Sequence, residues 1–124
     1  MARRHFQTLT MNRQGEFSVR TTGDSHCGTF TNDRLWIKYH LICECENILD
    51  PRGFLFEQVN VDKFFKNMKR TTLSCEKLTI SSCKKLATLI RKDNPVCKIR
   101  SMKLTLSPFP YQASMTYSTD TLQQ

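Results

Sequence analysis

The chain reads as an α+β domain, a four-stranded antiparallel sheet with two helices on one face in the order ββααββ. Three observations predict this. Segments at both ends of the chain alternate apolar and polar residues with a period of two, as half-buried strands do. Two segments between them switch to helical spacing. Consecutive helices flanked by strand pairs favour antiparallel hairpins under a helical layer.

The first strand shows in Phe17, Val19 and Thr21, which alternate with Ser18, Arg20 and Thr22. In the second, Ile37, Tyr39, Leu41, Cys43 and Cys45 alternate with Lys38, His40, Glu44 and Glu46, interrupted only by Ile42. Asp50-Pro51-Arg52-Gly53 is turn chemistry, with proline second and glycine fourth, leading into Phe54-Leu55-Phe56. Val61, Phe64, Phe65 and Met68 then follow the i, i+3, i+4, i+7 rule of a short amphipathic helix, with Lys63, Lys66 and Arg70 off the stripe. Ser74 can cap a second helix, and Glu76 in its first turn suits the dipole. Its apolar side is Cys75, Leu78, Ser82, Leu86, Leu89 and Ile90, opposite Lys77, Lys84 and Arg91, and Asp93-Asn94-Pro95 ends it. Met102, Leu104 and Leu106 mark the third strand. Tyr111, Ala113, Met115 and Tyr117 mark the fourth, after the stiff turn Pro108-Phe109-Pro110.

At 124 residues the chain is one domain, 1–124, with a folded core over about 16–118. The N-terminal arm, about 1–5, and the C-terminal tail, about 119–124, are expected to be flexible. With 39% apolar and 24% charged residues it is globular material rather than a disordered chain. No apolar run approaches the roughly 18 residues that span a bilayer, so no membrane partner is expected. Gln7, Thr8 and Thr10 interrupt any signal-peptide core, which makes the cytoplasm the expected compartment. There the six cysteines are free thiols, and no CxxC pair points to structural zinc.

The net charge of +8 is concentrated. Between Asp62 and Lys103 stand twelve Lys or Arg against three acids, a local balance of +9. Lys63, Lys66, Lys69, Arg70, Lys77, Lys84, Lys85, Arg91 and Lys92 would form a basic helical face, open to nucleic acid or an acidic protein. Phe64 and Phe65, the aromatics interleaved with them, are committed to the core.

His26 beside Cys27 is the one pair with the look of a reactive site. Neighbours on an extended chain point to opposite sides, so His26 is poorly placed to activate the thiol. No cofactor and no metal are expected; His5, His26 and His40 do not form a ligand pattern.

Four segments resemble the tunnelling-fold family of 6-pyruvoyl-tetrahydropterin and 6-carboxytetrahydropterin synthases: Cys27 to Asp33, Asp50 to Glu57, Ser74 to Leu78, and Met102 to Tyr117. The resemblance covers about residues 16–118. It implies ββααββ order and subunits that pair strand edges into a barrel. It also marks a break, because the family's zinc histidines fall here at Thr21, Thr31 and Asp33, and its ring-anchoring glutamate at Leu106. Thr, Thr and Asp do not make the nitrogen-rich site of a catalytic zinc. The expectation is a non-catalytic, homo-oligomeric binding protein with an anionic partner. Two alternatives stand beside it: a pterin- or purine-type enzyme remodelled around Cys27, and a structural or inhibitory protein docking on another protein.

Overall fold

The computed structural model describes residues 7–21 and 34–120. Its elements are β1 (Thr8–Thr21), β2 (Arg34–Glu46), α1 (Val59–Lys66), β3 (Arg70–Thr71), α2 (Cys75–Asp93), β4 (Ile99–Pro108) and β5 (Met115–Thr119). They build an α+β fold with one five-stranded sheet in the order β3-β1-β2-β4-β5. The four long strands pair antiparallel, and β3 joins β1 in parallel at Arg20–Arg70 and Thr21–Thr71. The sheet is therefore mixed and five-stranded, not four-stranded and antiparallel, and the order is ββαβαββ. A two-residue strand is too short to carry any periodicity, so β3 leaves no mark on the pattern.

Alternation sets the two faces. Phe17, Val19, Leu35, Ile37, Leu41, Cys43, Met102, Leu104 and Leu106 are buried against α1 and α2. Phe65 of α1 stacks on Tyr39, with ring centroids 4.3 Å apart, and on Phe17 at 4.9 Å. From α2, Leu78, Cys83, Leu86 and Ile90 close the same core. The Ser74 cap forms as the sequence predicts, its Oγ accepting from the Lys77 N–H at 3.2 Å. The Asp50 turn forms too. The Gly53 N–H donates to the Asp50 carbonyl at 2.9 Å, and Gly53 takes a φ of 89° that glycine tolerates.

β1 begins at Thr8, well ahead of the Phe17 start that the alternation predicts. The reason lies on its covered face, where Arg13 and Gly15 occupy positions that a strand pattern reserves for apolar side chains. Gly15 sits opposite Tyr39 in the register, and a Cβ there would lie 2.4 Å from the tyrosine hydroxyl oxygen. The glycine thus makes room for Tyr39 to donate to Asp62 of α1, which also receives the Arg13 guanidinium. At the other end of the chain β5 starts at Met115 rather than Tyr111, because residues 109–112 form the turn.

Candidate functional site

The nine predicted basic residues do not form one face. Arg91 and Lys92 stand in the last turn of α2. Lys77, Lys84 and Lys85 surround the exposed Ile80 on the outer side of the same helix. Lys63 and Lys85 rim the groove between the helices, over Phe64, Met68 and Leu89. Lys66, Lys69 and Arg70 go elsewhere. The chain leaving α1 carries them around the outer edge of β1, where the Arg20 N–H donates to the Lys69 carbonyl at 3.0 Å.

At that edge they meet residues from the uncovered face of the sheet. Arg20 and Arg34 are direct cross-strand partners in the β1–β2 register, followed by Ser18–Trp36 and Glu16–Lys38. Together Arg20, Arg34, Lys66, Lys69 and Arg70 line a cup of about 490 Å³, with Trp36 in its wall and Glu16 the one carboxylate among the described residues that line it. Two like charges directly opposite each other across a strand pair repel. Arg34 donates to the Ser18 hydroxyl at 2.8 Å. Five cations around one concavity make a strongly positive potential, the condition for holding an anion.

The uncovered face continues the polar character away from the cup. A shallow groove of about 470 Å³ shares Glu16 with it and runs past Gln14, Lys38, His40, Thr105 and Ser107. His40 is bonded to the Asn12 side chain at 3.1 Å, a strand-surface role. Tyr111 leans over this face, its hydroxyl donating to Glu16 and its ring under the Lys38 ammonium, 4.0 Å from the centroid. The Glu16 carboxylate pushes the Tyr111 hydroxyl above its ordinary pKa, so it stays a donor at neutral pH.

Thiol chemistry finds no support among the described cysteines. Cys43, Cys45, Cys75, Cys83 and Cys97 are buried thiols outside any disulfide. Contact with Cys43 pushes the Cys45 thiol up to about 12, and burial pushes Cys83 up to about 11, so both stay protonated and weakly nucleophilic. His26 and Cys27, with His5, Thr31 and Asp33, lie outside the described residues, as do residues 1–5 of the predicted arm and 121–124 of the predicted tail. Thr21 is buried at the end of β1, and Leu106 is buried in the core, facing the helices. Among the described residues no cluster of three His, Cys, Asp or Glu side chains is arranged to hold a metal ion. Among them too, no helix is long and apolar enough to cross a membrane.

Sequence reasoning missed Arg20, Arg34 and Trp36 as site residues. The signal was present in Arg34-x-Trp36-x-Lys38, an aromatic between two cations at outward-facing positions of one strand. No family model matches the chain, and no curated protein matches its sequence.

Proposed function

We propose that the chain is a non-catalytic, oligomeric binding protein on a tunnelling-fold-like frame, and that the cationic cup at the β1 edge receives an anionic, phosphate-bearing partner. The cup carries this reading: five cations converge on one concavity, and the Arg20–Arg34 pair is unfavourable until an anion lies between the two. This relocates the binding surface from the helices to the sheet edge. Lys66, Lys69 and Arg70 keep the role expected of them, and the α2 lysines become a solvated face.

The frame is supported by the hairpin, helices and hairpin that the order of the long elements displays, with β2 joined to β4 at the centre. Assembly is supported by the edges. β3 covers only Arg20 and Thr21, which leaves the rest of β1 without a strand partner on that side among the described residues. Long bare edges invite pairing with another chain. Pairing along the first half of β1 would leave the cup open, since its strand residues begin at Glu16.

Two charge reversals test the reading. Arg34→Glu with Arg70→Glu should abolish binding to sodium tripolyphosphate in titration calorimetry. Lys84→Glu with Lys85→Glu should leave it within about twofold, as screened surface charges do. The opposite ranking would return the site to the helices and end the proposal.

A further inference from the structure

The cup does not stand alone on its face. Trp36 is 49% exposed, on the side of the sheet that the helices leave bare. Arg34 and Lys38 flank it at the neighbouring outward positions of β2, and an exposed ring grouped with others, rather than scattered singly, marks an interaction surface. The Trp36 carbonyl accepts the N–H of Phe109 at 2.8 Å, which brings alongside it the backbone of a second aromatic residue, 59% exposed. Phe109 in turn meets Tyr111 edge to face, with centroids 5.5 Å apart. Tyr111 holds a φ of 69°, in the left-handed region that a bulky aromatic seldom enters. Its bond to Glu16 and the Lys38 ammonium over its ring keep it there. Strain maintained by polar contacts at a surface marks a place where the geometry matters.

Cations for phosphates beside flat rings for bases are the two parts of a single-strand nucleic-acid surface. Double helices offer phosphates but keep their base faces stacked, and mononucleotides use one ring only. The aromatics lie on a sheet face rather than in a deep pocket, so extended chains fit better than small ligands.

We propose that the uncovered sheet face binds single-stranded nucleic acid, with phosphates in the cup of Arg20, Arg34 and Arg70 and a base stacked on Trp36. The inference rests on the phosphate-binding reading above and adds the stacking half to it. Sequence specificity is not part of it, since stacking and backbone contacts accept any base.

Trp36 is the only tryptophan in the chain, so its emission reports the site directly. A labelled single strand of about ten nucleotides, a length within the reach of one stacking platform, is titrated against the full chain, with the matching duplex and tripolyphosphate as competitors. The single strand should quench Trp36, bind at least tenfold more tightly than the duplex, and lose affinity with rising salt by about 0.7 log unit per log unit of salt for each phosphate held. Trp36→Ala should lose about tenfold for the single strand and no more than about twofold for tripolyphosphate, while Trp36→Phe restores most of the loss. Arg34→Glu with Arg70→Glu should lose both ligands. Unchanged circular dichroism shows that each variant is folded. Equal binding of duplex and single strand, or no effect of Trp36→Ala, would overturn stacking while leaving the phosphate site intact. Failure of tripolyphosphate and single strand alike would remove both proposals.

Discussion

On the covered face of the central hairpin, Phe17, Ile37 and Tyr39 are buried and stacked under α1. One residue along the same strands, Glu16, Ser18, Trp36 and Lys38 face away from the helices, with no helix over them among the described residues. The two sets share a backbone and a register, yet obey different rules. Covered positions are filled by shape, so that rings meet rings. Uncovered positions carry like charges in opposition and an exposed aromatic, arrangements that cost stability and that the proposed ligand would relieve. Because side chains alternate, stability and binding are separated by a single step along the chain, and substitutions should sort cleanly between them.

Phe65→Ala is the strongest test of that separation. The ring lies fully buried between Phe17 and Tyr39, with Phe64 edge-on at 5.1 Å. Removing it should cost about 3–5 kcal/mol, read as a lower urea midpoint at unchanged slope. A loss below about 1 kcal/mol would mean that the aromatic stack is not what joins α1 to the sheet. The companion result is on the other face, where Trp36→Ala should shift stability by no more than about 0.5 kcal/mol.

Gly15→Ala asks whether the covered face tolerates any error of shape. The added methyl would meet the Tyr39 hydroxyl oxygen at 2.4 Å and the ring carbon that bears it at 2.6 Å. Tyr39 cannot simply swing aside, because Phe65 is stacked on it and Asp62 accepts its proton. Overpacking of this kind costs roughly 1–3 kcal/mol, and about 2 is expected here. Stability equal to the parent would show that the tyrosine is loosely held, and would weaken the contrast between the faces.

How legible these faces were depends on how local their causes are. The alternation of β2 and the Ser74 cap of α2 are written in adjacent residues, and both formed where the sequence placed them. The first half of β1 was hidden because Arg13 and Gly15 break the apolar pattern, and only Asp62 and Tyr39, distant in sequence, explain them. The cup was hidden for the same reason. Lys66, Lys69 and Arg70 read as one row with the α2 lysines, whereas the parallel pairing of the two-residue β3 folds them against Arg20. Charge counts along a chain locate the cations, but not the concavity that gathers them.

The smallest loss expected from the covered face concerns the Arg13–Tyr39–Asp62 cluster, and it decides whether that cluster is structural. The Arg13 guanidinium, with the Tyr39 hydroxyl, holds the Asp62 carboxyl below the ordinary carboxylate range, against the opposing push of burial. A carboxyl with a lowered folded-state pKa contributes stability that is complete above its unfolded value, near 4, and lost as pH falls through the lower folded value. Burial and the bond to Asp62 raise the Tyr39 hydroxyl above its usual pKa, so at neutral pH it remains the donor this carboxylate needs. Asp62→Asn should therefore cost about 1 kcal/mol at pH 7, a modest figure because Arg13 remains a third exposed to solvent. The difference from the parent should shrink as pH falls from about 4, where the unfolded chain's carboxyl begins to take up its proton, through the lower folded value. A constant difference across that range would mean that Asp62 acts through packing rather than charge. Asp62 also feels the charge of Lys66, which lines the cup, so binding to tripolyphosphate at pH 7 should change by no more than about twofold; a larger change would show that the two faces communicate through β1.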